Sequence, residues 1–170
     1  MPLKPIKQHD VIILGAGPAG MALAAELAGH ARVLVIERDE LARTNATWYS
    51  YADRVRAHGL DDAVVFCSDH LLFRSPNFSH EMKDDCVVVD HRRVLETWLA
   101  RARAGGVEFV QANFKSHRRD VAGVTAHTSA GDFQARLIID CTGPNSPIVA
   151  AEKLISRKDA WVLCGARVRI

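Results

Sequence analysis

An α/β fold built on a parallel sheet, with a small antiparallel β-meander, is what this sequence predicts, and three observations carry it. The first is an apolar run, Val11-Ile12-Ile13-Leu14, that leads directly into the glycine-rich turn Gly15-Ala16-Gly17-Pro18-Ala19-Gly20. The second is a helix-forming stretch from Met21 to Ala28, closed by Gly29 and followed by a further apolar run, Val33 to Ile36, that ends on Glu37. The third is Leu137-Ile138-Ile139, ending on Asp140 and the loop Cys141-Thr142-Gly143-Pro144. Short unbroken apolar runs suit strands buried on both faces, and strands alternating with helices suit a parallel sheet.

The glycine-rich turn has the chemistry of a phosphate site. Gly15 permits the tight turn, Gly17 lets an anion approach the backbone, and Gly20 lets the helix pack on the strand. Pro18 is tolerated in a first helical turn, where its missing N–H would have no partner. The amides of Ala19 and Gly20 and the positive helix end complete the cradle. Glu37 stands about 20 residues beyond the first glycine, the spacing at which an acid reaches an adenosine ribose. Its charge disfavours a 2′-phosphate there, and the neighbouring Arg38 weakens that only slightly. Together these features describe a Rossmann-like dinucleotide-binding unit, with a merely structural βαβ turn as the alternative.

Composition narrows the class. The chain of 170 residues fits one domain, or one domain plus part of another. It is 48% hydrophobic with mean hydropathy near zero, as in globular proteins. With 22 basic and 20 acidic residues it carries no nucleic-acid footprint. Its four cysteines form no CxxC pair, and three sit in apolar runs where a free buried thiol is the common reading. Met1-Pro2-Leu3-Lys4 lacks a signal-like apolar region, and no apolar run approaches the ~18 residues of a membrane span. A cytoplasmic location is expected.

Along the chain, residues 1–9 read as a loose polar lead-in, and Arg38 to Arg43 leave the sheet. Thr44 to Arg54 holds Trp48, Tyr49 and Tyr51 beside Asn45, Thr47 and Asp53, with poor helical or strand periodicity. It reads either as a packed loop or as a loop lining a ligand cavity. Val55 to Gly59 suits a short helix. From Ala63 to Asp90, three or four short strands are expected at 64–67, 71–74, 80–83 and 86–89, with turns at Ser75-Pro76-Asn77 and Asp84-Asp85. His70, His80 and Glu81 lack a third metal ligand at useful spacing and read as solvated strand residues.

Arg92 to Ala104 is a helix, since Leu95, Trp98, Leu99 and Ala102 recur on one face, and Gly105-Gly106 stops it. Val107 to Asn113 should return to the main sheet as a strand. Turns at Ala122-Gly123 and Ala130-Gly131-Asp132 then define the meander, whose last strand runs into Asp140. Ile148 to Ser156 suits a turn or two of helix, and Trp161 to Ile170 alternates like an unfinished strand. The expected organisation is a nucleotide-binding domain over 1–160, with 44–90 inserted and partly substrate-side. Residues 161–170 would begin a second domain, so the chain reads as the N-terminal part of a longer protein.

This order resembles the flavoprotein family of aromatic-ring hydroxylases, geranylgeranyl reductases and lycopene cyclases. Three pieces carry the likeness: Gly15 to Gly20 with Glu37; Arg92-x-x-Leu95-x-x-x-Leu99; and Asp140 to Ser146. Within the family, Asn45, the aromatic cluster, Asp53 and Gly59-Leu60-Asp61 are most similar to lycopene cyclases, whereas Pro144-Asn145-Ser146-Pro147 is closer to the reductases and hydroxylases. The resemblance implies an FAD/NAD(P)-binding fold with FAD as cofactor and NAD(P)H as a potential reductant. It implies cofactor contacts from Gly15, Gly17, Pro18, Ala19, Gly20, Glu37, Arg38, Arg92, Asp140 and Gly143. Arg92 would meet the phosphates or the flavin edge, with a surface salt bridge as its alternative role. Asp53 is the only acid or base candidate put forward. A hydrophobic small-molecule substrate and peripheral membrane contact through a later part of the protein also follow. Two rivals stand beside this reading: a nucleotide-binding module without catalysis, and an NAD-dependent dehydrogenase domain.

Overall fold

The computed structural model describes residues 8–43 and 47–154. Its larger sheet has six strands in the order β6-β2-β1-β9-β8-β7. Here β1 is Gln8–Leu14, β2 Val33–Glu37 and β6 Glu108–Gln111, while β7 is Phe114–Asp120, β8 Gly123–Thr128 and β9 Gly131–Asp140. Strands β6, β2, β1 and β9 run parallel. The first half of β9 pairs antiparallel with β8, and β8 with β7, so the meander grows out of the strand that flanks β1.

The apolar runs form central strands because both of their faces are covered. Ile13, Val33 and Val35 face the helices α1 (Pro18–Leu27) and α3 (His91–Ala104), meeting Met21, Ala24 and Leu95. Ile12, Leu14, Leu34 and Ile36 face the other way, against Val124, Ala126 and Ala135 of the meander. Full burial of such side chains contributes about 1.5–3 kcal/mol each, which explains why this block tolerates no polar alternation. His9, expected in the loose lead-in, belongs to β1 and is 2% exposed, 3.6 Å from Glu108.

α1 and α3 are joined at their C-terminal ends, where Gly29 N–H donates to the Gly105 carbonyl at 2.9 Å. A Cβ on Gly105 would lie 2.4 Å from the Ala28 Cβ, so this crossing requires glycine. Both helices therefore begin at the opposite end, where β1 and β2 finish.

The smaller sheet corrects three expectations. Residues 47–51, read as a loop, form strand β3 (Thr47–Tyr51), and the helix expected from Val55 is α2, Ala52–Ala57. The expected series of short strands is one long hairpin, β4 (Val64–Ser75) and β5 (Phe78–Asp90), in a sheet ordered β3-β5-β4. The turn at Pro76-Asn77 holds, whereas Asp84-Asp85 lies inside β5 opposite a register shift between Ser68 and His70. Val87, Val89 and Trp48 on the inner face pack with Val55, Leu60 and Val94. α3 thus serves both sheets, with Val94 toward the small one and Leu95 toward the large one. α4 (Pro147–Ala151) follows the loop after β9; Asn45 and the strand expected at 161–170 lie outside the described residues.

Candidate functional site

Three strand ends lie side by side at one edge of the larger sheet. The Gly15 N–H donates to the Ile36 carbonyl and the Cys141 N–H to the Leu14 carbonyl, each at 2.8 Å. The ends of β2, β1 and β9 are therefore stitched together, with β1 between neighbours that arrive from opposite directions in the chain. In open α/β sheets such a reversal is where ligands bind.

The glycines of the first turn do distinct work. Gly15 has φ +93°, and a Cβ there would meet the Cys141 carbonyl oxygen at 2.7 Å. A Cβ on Gly20 would lie 2.0 Å from the Gly15 carbonyl oxygen, so the helix could not sit this close with any side chain. Gly17, the N-cap of α1, has open space over its Cβ position and no side chain caps the helix. The first intrahelical bond is Met21 N–H to the Gly17 carbonyl at 2.9 Å. Pro18 carries no N–H, and the amides of Ala19 and Gly20 precede any intrahelical partner. This is an uncapped positive helix end beneath a bare backbone, a cradle that suits a pyrophosphate.

Glu37 ends β2 facing this turn. Its Oε2 accepts from the Ala16 N–H at 2.6 Å and its Oε1 from the Asp39 N–H at 2.9 Å. Each oxygen keeps a lone pair for a hydroxyl. The Ala16 contact was not legible in the sequence; it follows from β1–β2 pairing, which sets the strand ends level. Beside Glu37 opens a cavity of about 450 Å³ bounded by the charged Asp39, Glu40 and Arg103 and by five further residues, Leu41, Leu99, Phe109, Val110 and Gln111, within the range of small-ligand sites. None of these five was anticipated.

The loop after β9 forms the other wall. Asp140 accepts from the Thr142 N–H at 2.9 Å and hydroxyl at 2.6 Å, and from the Ser146 hydroxyl. Burial works to raise this carboxyl, but the hydrogen bonds from Ser146 and Thr142 outweigh it and hold it below the usual range. Asp140 is thus committed to shaping the loop. Gly143, at φ +83°, has open space over its Cβ position.

The remaining candidates are less concentrated. Arg92 is exposed on the first turn of α3. Arg38 turns to Asp39, with Nε 3.2 Å from Oδ2. Asp53 takes the Arg54 N–H at 2.7 Å and pairs with the Arg54 guanidinium at 3.7 Å. The structure does not join it to the glycine turn. In the aromatic cluster Trp48 lies against His91 with ring centroids 3.6 Å apart and planes tilted by 36°, and burial lowers the His91 pKa against the opposing pull of Asp90. The Tyr49 hydroxyl lies 2.8 Å from the Cys86 sulfur, and this contact, with burial, raises the phenol above its ordinary range.

Among the described residues no helix is long and apolar enough to cross a membrane. Comparison with known proteins agrees with the geometry. The chain is 30% identical over 154 residues to the digeranylgeranylglycerophospholipid reductase of Haloferax volcanii, covering 84% of this chain and 37% of that protein. It is 27% identical over 194 residues to the monodechloroaminopyrrolnitrin halogenase PrnC of Pseudomonas fluorescens, covering 88% and 34%. The chain thus spans about a third of the length of these curated relatives. Its fold is that of the flavin-dependent brominase Bmp2 (TM-score 0.71, 20% identity, 87% of this chain and 41% of that one). It also matches the OxyS anhydrotetracycline hydroxylase of Streptomyces rimosus (TM-score 0.69, 24% identity, 85% and 33%). A family model described as lycopene cyclase protein matches residues 10–160, and the chain belongs to that family.

Proposed function

We propose that this chain is the FAD-binding portion of a flavoenzyme acting on a hydrophobic small molecule. The observation that carries the reading is the alignment of three strand ends around an uncapped, side-chain-free helix start. The pyrophosphate would rest on the amides of Ala19 and Gly20 beside Gly17. Glu37, held by Ala16 and Asp39, would accept the adenosine ribose hydroxyls. The cavity beside it is sized for the nucleoside end, and Gly143 would leave the backbone open on the opposite wall. Arg92 would balance phosphate charge or meet the flavin edge. Bound FAD would supply either electron transfer, with NAD(P)H as reductant, or stabilisation of a cationic substrate. The chain's own residues bind, orient and shield it.

Two features support a hydrophobic substrate side for residues 44–90: the aromatic strand β3, and the exposed Phe66 and Phe78 of the adjoining hairpin, each about 60% exposed. The same proposal places the nucleotide-binding domain at 1–160, the protein in the cytoplasm, and any membrane contact at a peripheral surface. The rival reading, a carrier module without catalysis, shares the nucleotide site and lacks turnover. The reductase and halogenase relatives favour an enzyme.

Titration of the chain with FAD and with ADP by calorimetry tests the site. Gly17→Val should abolish binding of both while leaving the circular dichroism spectrum largely unchanged, because a Cβ there meets nothing within 4 Å. Unchanged affinity in that variant would remove the pyrophosphate assignment.

A further inference from the structure

The loop that forms the second wall, residues 141–146, is fixed at its start by the Cys141 N–H and at its end by the bond from Ser146 to Asp140. It hands on to α4, only five residues long, none of them fully buried. A helix that short has no independent stability in water. Ile148 packs against the meander side of the core, and the Ser146 Oγ accepts the Val149 N–H at 2.9 Å. The remaining attachment is Glu152, the C-cap residue. Its Oε1 lies 3.0 Å from His117 Nε2 and its Oε2 lies 3.0 Å from Arg119 Nη2, both on β7.

An acid at a helix C-terminus opposes the local dipole, so Glu152 gains nothing from its own helix. The compensation comes from across the gap. His117 is 10% exposed in its side chain and stacked on Phe114, whereas Arg119 is 70% exposed. The exposed ion pair is worth little; the sheltered His117 contact carries most of the attachment.

We infer that Glu152 is a positioning residue, a clasp that fastens α4 to β7 through His117 and so holds the 141–146 loop against the glycine turn. This rests on the nucleotide reading only for its consequence in binding; the clasp itself concerns the loop. Strand β7 is the outermost member of the meander, so the clasp ties the site wall to the part of the sheet farthest from the glycine turn.

The test uses the full chain with two readouts, ADP affinity by calorimetry and amide hydrogen exchange without ligand. In Glu152→Ala, exchange at Thr142 to Ser146, Pro144 excepted, should accelerate while β1 and α1 keep wild-type protection. ADP affinity should fall about fivefold, the fold-change of one lost hydrogen bond. His117→Ala should reproduce both effects, and the double variant should be no worse than either single one. Glu152→Gln, which keeps one acceptor, should fall between. Wild-type exchange at 142–146 in Glu152→Ala overturns the inference. So does acceleration spread evenly through β1 and α1 in both single variants, which would make the contact a general support of the fold. If ADP binds neither wild type nor variants, the nucleotide reading fails, and the exchange data still decide the clasp.

Discussion

The two sheets of this molecule are built from similarly apolar strands, yet one is sealed and the other is half open. In the six-stranded sheet Ile12 and Ile13 point to opposite faces and both are 0% exposed. In the three-stranded sheet Val87 and Val89 are buried inward, while Tyr49 and Phe66 at the alternate positions, and Phe73 and Phe78 at the far end of the hairpin, are exposed by 45–61%. The difference lies in what the chain places over each face. Helices and a folded-back meander cover the first; among the described residues, α2 and α3 pack on the inner face of the second.

Paired truncations test that contrast most directly. Ile13→Ala should cost about 2–5 kcal/mol in urea denaturation, as deletion in a close-packed core does. Phe73→Ser on the open face should stay within about 0.5 kcal/mol. Equal losses would mean that the outer face is packed in solution. At the sealed sheet's edge, Glu37→Ala should weaken ADP binding by about 1.5–3 kcal/mol in calorimetry, the worth of a charged hydrogen bond. A negligible loss would place the ribose elsewhere. The smallest effect is expected at Asp10, whose carboxylate takes Arg32 Nε at 3.1 Å and Nη2 at 3.0 Å, tying the starts of β1 and β2. Hydrogen bonds from Arg32 lower its pKa from 3.8 to about 2. Because the folded value is depressed, the stabilisation is fully present above the ordinary value and disappears as pH falls through about 2. The gap between wild type and Asp10→Asn should therefore close over that interval and shrink with added salt.

The sealed sheet was legible because burial on both faces leaves an unmistakable residue pattern: Val11 to Leu14 and Val33 to Ile36 admit nothing polar, whereas the similarly apolar Leu137 to Ile139, expected to be buried, leaves Leu137 52% exposed. The glycine turn was legible for a steric reason, since positions 15 and 20 have no room for a side chain. The open sheet was misread for equally physical reasons. In β3, Trp48 points inward and Tyr49 and Tyr51 outward, so both faces are aromatic and no alternation shows. In the hairpin two residues of β5, Asp84 and Asp85, stand opposite the single Asp69 of β4. A bulge changes the phase of a period-2 pattern, and one strand then reads as two. Asp84-Asp85, taken for a turn, is that bulge: the residues signalled a true irregularity of the wrong kind. The His117–Glu152 contact left no signal, because nothing local links residues so far apart in the chain.

The stitching of β1 to β9 also has a kinetic consequence. Leu14 pairs with Asp140, so the two walls of the site come from opposite parts of the chain. Loops that long close slowly, and non-local pairings of this kind form late in folding. The β1–α1–β2 unit, with its glycine turn, can assemble from neighbouring residues as soon as they are synthesised. Its second wall arrives only when the meander docks. A nascent or partly opened chain therefore has half a site, and a ligand that needs both halves stabilises only the molecule in which β9 has come home.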